Sequence, residues 1–106
     1  MRKYAAFGLL VAIASVAPAK AATVADCAAM GRLARSIMEK RQEGVDMSAM
    51  MSALETTSDK GFIPVAKAIV IDAYAIPRWN GAEIKRRSIM DFSNDIQVKC
   101  YQSNPQ

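Results

Sequence analysis

The stretch that decides the fold is Asn80–Tyr101, NGAEIKRRSIMDFSNDIQVKCY, which ends in the second of two cysteines. Its apolar side chains recur at spacings of three and four, which places them on one helix face with the thiol: Ile89, Phe92, Ile96 and Cys100. Asn80 is a suitable N-cap, and Glu83 three residues later completes a capping-box pattern. The pattern therefore predicts a helix from Gly81 to about Tyr101, with a buried stripe that ends in a thiol.

The N-terminus has the three parts of a secretory signal peptide. Met1-Arg2-Lys3 supplies positive charge, small apolar residues follow from Tyr4 to Val16, and Ala19-Lys20-Ala21 is a cleavage motif. The apolar run is shorter than the roughly 20 residues that a membrane-spanning helix needs. We therefore expect a cleaved signal peptide and a protein of the periplasm or the extracellular medium.

The expected cut after Ala21 makes residues 1–21 the signal peptide and residues 22–106 a single helical domain. Ala17-Pro18-Ala19 is a second cleavage motif, and a retained signal anchor is the alternative to cleavage. About 85 residues would remain, enough for one domain with a modest core.

Signal removal also changes the charge of the chain. The full sequence carries a net charge of +4, and the mature part carries +1, because three basic residues leave while all ten acidic residues stay. Such a balance gives no support for a nucleic-acid partner. No stable membrane insertion is expected after cleavage.

The other cysteine, Cys27, lies near the start of a second apolar stretch with helical spacing: Val24, Cys27, Met30, Leu33, Ile37 and Met38. Gly44 provides a left-handed stop for this first helix. Two cysteines in an exported chain favour one intramolecular disulfide, which would lay the first helix beside Cys100 and the last helix. Two free thiols or an intermolecular bridge are the alternatives.

Two shorter helices are predicted between these cysteines. Asp46 is a suitable N-cap for a helix with an apolar face of Met47, Met50, Met51 and Leu54. Pro64 fits the first position of the next helix, which Pro77 ends. The apolar side expected for that helix comprises Val65, Ala68, Ile69, Ala73 and Ile76. The predicted fold class is therefore all-α, a bundle of about four helices closed by the disulfide.

The chain has few residues suited to catalysis. It lacks histidine altogether, which excludes Ser-His and Cys-His nucleophilic arrangements and the commonest metal ligand. Asp91 and Asp95 share a helix face and are a conceivable acid pair, although two solvated carboxylates are the simpler interpretation. We expect no enzyme activity, no cofactor and no metal site.

The methionines admit three interpretations. Met47, Met50 and Met51 could offer thioethers to Cu(I), but no histidine or free thiol completes a ligand set. Core packing is the simpler account, because methionine fills irregular gaps well. An adaptable surface for binding other proteins is the third.

A cluster of aromatic and basic residues is the candidate protein-binding surface: Tyr74, Arg78, Trp79, Arg86 and Arg87. These residue types dominate hot spots at protein interfaces. The alternative is that the two aromatic side chains seal a corner of the core while the arginines stay solvated.

The mature chain resembles a group of short exported proteins of Proteobacteria and their phages or prophages, with no assigned activity. The resemblance rests on four features: Cys27 in the first helix, the Arg41-Gln42-Glu43-Gly44 ending, Ala73-Tyr74 followed by Pro77-Arg78, and the Phe92 helix ending in Cys100. In size, compartment and single disulfide the chain is also similar to acid-stress periplasmic chaperones of the HdeA type, although its cysteines lie further apart.

Two functions are consistent with these features. The first is a non-catalytic domain that binds an exported or envelope protein, as an inhibitor, an immunity protein or a phage-exclusion factor does. The second is a periplasmic stress chaperone that uses the methionine-rich face.

Overall fold

The computed structural model describes residues 24–57 and 59–103, and these form four helices and no strand. The helices are α1 (Val24–Glu43), α2 (Met47–Glu55), α3 (Ile63–Tyr74) and α4 (Ala82–Ser103). The all-α prediction is confirmed. The predicted signal peptide and its cleavage sites lie outside the described residues.

Helices α1 and α4 pack side by side and antiparallel. Cys27 and Cys100 form a disulfide, with Cα atoms 5.6 Å apart, so the predicted link between the first and last helices is confirmed. Four residues further along α1, Gly31 lets α4 approach closely: the Ser93 hydroxyl donates to the Gly31 carbonyl at 2.8 Å. A β-carbon at Gly31 would lie 2.5 Å from the side chain of Gln97.

Helix α1 is central, because both α4 and α3 pack against it. The core combines side chains from these three helices: Ala34, Ile37, Met38, Ile69, Val70, Ala73, Phe92 and Ile96. Helix α2 rests on α3 and contributes only half-buried side chains, namely Met47, Met50, Met51 and Leu54. The methionine-rich face therefore packs against the edge of the core.

Two predicted helix ends are confirmed by the backbone. Gly44 has a φ of +92°, the left-handed conformation that ends α1. The Asp46 carboxylate accepts from the amide of Ser48 at 2.9 Å, which caps α2 as expected.

The start of α4 differs from the predicted capping box. The carbonyl that accepts from the amide of Lys85 belongs to Gly81, at 3.0 Å, so Gly81 rather than Asn80 holds the N-cap position. The Glu83 carboxylate pairs with Arg86 and Arg87 instead of turning back to the backbone.

Some expected core positions are wrong. Val24 is 67% exposed at the first turn of α1. In α3, Val65 and Ala68 are exposed, whereas the buried face comprises Ala66, Ile69, Val70 and Ala73. Helix α3 is apolar on nearly every side, so its spacing did not specify which face packs on α1.

Candidate protein-binding surface

The five residues of the predicted surface lie in different surroundings. Tyr74 and Arg78 belong to a corner, formed by Arg41–Val45 at the end of α1 and Tyr74–Trp79 after α3. Arg86 and Arg87 lie in the first turns of α4. Trp79 belongs to the corner through its backbone amide and lines one recess together with Arg87.

Tyr74 has a structural role in the corner. Its hydroxyl donates to the Val45 carbonyl at 2.6 Å, and the Arg41 guanidinium lies 5.1 Å from the ring centre. Burial raises the pKa of the Tyr74 phenol above its ordinary value, although the Arg41 charge opposes this shift. Tyr74 thus holds the chain after α1 against α3.

Arg78 is also engaged by the end of α1. Its Nε donates to the Gln42 carbonyl at 3.1 Å, and its Nη2 donates to the Glu43 carbonyl at 3.2 Å. A β-carbon at Gly44 would lie 2.8 Å from the Arg78 guanidinium carbon, so the guanidinium lies directly against the backbone. The last carbonyls of a helix lack intrahelical partners, and the Arg78 guanidinium supplies hydrogen-bond donors to two of them.

Gln42 is a central residue of the corner that the sequence analysis did not identify. Its side chain is 2% exposed. Its Nε2 donates to the Pro77 carbonyl at 2.9 Å, and its Oε1 accepts from the Trp79 amide at 2.8 Å. One side chain therefore satisfies two backbone groups of the α3–α4 linker.

A spacing signal for Gln42 was present in the sequence. The buried residues Cys27, Gly31, Ala34 and Met38 lead to Gln42 in steps of four, three, four and four residues. Because glutamine is polar, the pattern of apolar residues did not predict that Gln42 is buried.

Arg86 and Arg87 are exposed and share a partner. Both guanidiniums pair with the Glu83 carboxylate, and the hydrogen bond from Arg86 lowers the pKa of Glu83 below its ordinary value. Arg86 lines a recess with Met90 of α4 and Arg35 of α1, whereas Arg87 lines a different recess with Trp79.

Trp79 and Arg87 line an open groove between α4 and the segment from Asp72 to Trp79 at the end of α3, here called the α3–α4 groove. It consists of two adjoining recesses of about 400 and 230 Å³, which share Ile76, Phe92 and Asp95. The groove exists because α3 and α4 each pack on α1 and scarcely touch each other. Of the five predicted surface residues, only Trp79 and Arg87 line this groove.

Exposed apolar side chains border this groove on α4. Ile84 is 42% exposed and Val98 is 50% exposed. Ile76 and Trp79 are half-buried beside them. The groove therefore offers apolar contact area around a tryptophan.

A second apolar surface lies on the other side of α1. A recess of about 450 Å³ runs between α1 and α2 and includes Leu33, Met50 and Leu54. A neighbouring recess of about 520 Å³ includes Leu33 and Phe62. We call these two recesses the Met face.

Within residues 24–57 and 59–103, no group of acidic or cysteine side chains is arranged to hold a metal ion. Asp91 and Asp95 lie at the edge of the α3–α4 groove with exposed side chains. No helix in the same part of the chain is long and apolar enough to cross a membrane.

Comparison with protein-family models, curated proteins and solved structures found no match for this chain. The resemblance to small exported proteins of Proteobacteria and their phages therefore stays a hypothesis. What the structure adds is a physical role for the residues that carry it. Apart from the disulfide and Phe92, they meet in the corner: Arg41-Gln42-Glu43-Gly44, Tyr74 and Pro77-Arg78.

Proposed function

We propose that this chain is a non-catalytic protein-binding domain that docks on an exported or envelope protein through the α3–α4 groove. The observation that carries the proposal is the set of apolar side chains left open there beside Trp79. Contiguous exposed apolar area bordered by polar residues is typical of interaction sites, and tryptophan is enriched at their hot spots.

The proposed compartment is supported by the disulfide and by the N-terminal sequence. A disulfide is typical of proteins that mature in an oxidising environment, which is consistent with an extracytoplasmic location. Together with the signal-like N-terminus, it supports the periplasm or the extracellular medium. An inhibitor, an immunity protein or a phage-exclusion factor would each need a rigid domain of this kind with one docking surface.

Site-specific photocrosslinking in the envelope of producing cells tests the proposal. A photoreactive side chain would replace Val98 in the groove or, as the control, Met90 on the other side of α4. The two positions are matched in exposure, at 50% and 43%. We expect a discrete adduct with another envelope protein from position 98 only. No adduct from either position, or equal adducts from both, would contradict a docking role for the groove.

A stress chaperone is the second candidate, because α2 has no fully buried side chain and could detach to expose its methionine-rich face. Glu55 on α2 pairs with Lys67 on α3, and this contact lowers the pKa of Glu55. A carboxylate with a lowered folded-state pKa contributes stability above its unfolded pKa and loses that contribution as the pH falls through the folded value. Acid would therefore favour the release of α2, at pH values below the ordinary glutamate pKa of about 4.3.

Client aggregation measured across a pH series tests this second candidate. Suppression that begins below about pH 4, the range in which carboxylates become protonated, would favour the chaperone. Suppression should weaken when Met50 and Leu54 are replaced by glutamine. A protein that suppresses aggregation at no pH has no such function.

A further inference from the structure

We infer that the segment bound in the α3–α4 groove is an amphipathic helix of the partner with basic residues along one edge. This inference rests on the proposed function and adds the chemistry of the partner. Its basis is the shape of the groove together with the charges that the fold leaves available there.

The groove has the length and lining of a helix-binding site. It follows α4 from Ile84 to Gln102, and at about 1.5 Å per residue this span is about 27 Å long. That length matches about five turns of a bound helix. The half-buried Ile76 lies where the two recesses meet, over the buried Phe92, so an apolar helix face would run over Ile76. Docking of an amphipathic helix in an apolar groove is a common recognition mode.

The positive charges of the groove already have partners. Lys99 reaches across to Asp72 with a nitrogen to oxygen distance of 3.3 Å. Arg87 lies 3.6 Å from the carboxylate of Glu83. The carboxylate of Asp72 offsets Lys99, whereas the single charge of Glu83 is shared between Arg86 and Arg87.

The remaining charges at the groove are two carboxylates. Asp91 and Asp95 lie one helical turn apart on α4 and are exposed. The ion pairs found among residues 24–57 and 59–103 include neither of them. A partner helix with lysine or arginine residues four positions apart would place a cation beside each carboxylate.

The opposite side of α4 has the other sign of charge. Arg35, Lys85 and Arg86 surround a recess there that contains one acidic residue, Glu39. The small net charge of the domain therefore conceals a separation of charge between the two sides. A basic helix would be attracted to the groove side and repelled by the other, which fixes where it binds.

Two synthetic helical peptides of about 18 residues, long enough for five turns, test the inference. Both carry leucine on one face, with lysine on the polar face of one and glutamate on that of the other. Fluorescence anisotropy with the intact disulfide-bonded domain should show binding of the lysine peptide that weakens with added salt. The glutamate peptide should bind roughly tenfold more weakly or worse.

Charge variants test whether Asp91 and Asp95 cause the preference for the lysine peptide. Asp91→Asn with Asp95→Asn should weaken the lysine peptide roughly tenfold, and Asp91→Lys with Asp95→Lys should reverse the preference between the peptides. The matched control is Glu39→Gln with Glu43→Gln, which also removes two carboxylates, but from α1 outside the groove. An equal loss in the control, or equal binding of both peptides, would overturn the inference.

A groove variant separates this inference from the proposed function. Ile84→Arg changes an exposed side chain, so the fold should survive, but it obstructs the groove while the photoreactive side chain stays at position 98. If Ile84→Arg abolishes that cellular adduct and the two asparagine substitutions do not, the groove binds protein and the basic helix is wrong. If neither variant affects the adduct, the groove itself is wrong. Dimerisation of the domain that depends on Asp91 and Asp95 would identify a second copy as the occupant and overturn a separate partner.

Discussion

At the scale of single residues, the side chain with the most demanding role is Gln42. It must donate to the Pro77 carbonyl and accept from the Trp79 amide at the same time. A primary amide does both, whereas a carboxylate only accepts and an apolar side chain does neither. The Gln42 amide therefore helps to hold the linker that carries Trp79 towards the groove, together with the hydrogen bonds of Arg41 and Arg78.

Replacement of Gln42 by alanine should lower the free energy of unfolding by about 2–3 kcal/mol, because unpaired buried polar groups are costly. Gln42→Glu should also destabilise, since it keeps an acceptor for Trp79 but cannot donate to Pro77. Urea unfolding followed by circular dichroism measures both. Glu39→Ala, at an exposed position on the same helix, is the control. A loss no greater than in the control would show that the corner does not depend on the amide.

At the scale of the elements, α3 shows how a helix can be predicted while its orientation is not. Apolar residues cover almost all of Ile63–Tyr74, so several faces are suitable for burial. The observed face is the one that buries Ala66 and Ala73 together with Ile69 and Val70. Packing in the assembled core selected the buried face of α3, because the hydrophobic effect is non-directional and does not distinguish between apolar faces.

Two alanines of α3 provide a matched test of that orientation. Ala66→Lys should destabilise by more than about 2 kcal/mol or prevent folding, since it buries an unpaired charge. Ala68→Lys lies on the exposed side and should change the free energy of unfolding by no more than about 0.5 kcal/mol. Thermal unfolding of both variants compares them. Equal effects, or the reverse order, would mean that α3 presents another face to α1.

At the scale of the whole molecule, the disulfide and the α3–α4 groove belong to one arrangement. The Cys27 to Cys100 bond joins α1 and α4 at one end, and the corner joins the end of α1 to the linker before α4 at the other. Helix α4 is thus held at both ends against α1. Helix α3 also packs on α1 and makes few contacts with α4, so the space beside α4 at the end of α3 remains open.

Reduction of the disulfide should cost about 4 kcal/mol of stability, because the bond closes a loop between residues 73 positions apart. Denaturant unfolding with and without reductant measures this loss. The variant with Cys27→Ala and Cys100→Ala should be destabilised to a similar extent and should not respond to reductant. Mass spectrometry should show a monomer that gains the mass of two hydrogen atoms on reduction. A covalent dimer, or equal stability in both states, would contradict the prediction.

Several features were determined by the sequence because they depend on local patterns. The helix stop at Gly44 and the cap at Asp46 follow from backbone conformation and short-range hydrogen bonding. The stripe from Ile89 to Cys100 follows from helical spacing on a helix with clearly polar faces. The disulfide follows from the cysteine count and the predicted export of the chain.

The groove and the role of the corner were decided by the tertiary structure alone. Tyr74, Arg78 and Trp79 are near one another in sequence and of the types found at interfaces, so composition assigned them to one surface. Their partners Gln42 and Val45 lie 29–37 positions away, and those contacts engage Tyr74 and Arg78 within the fold. The groove depends on the separation between α3 and α4. That separation is set by how each packs on α1, and helical periodicity within a single segment contains no information about the distance between two others.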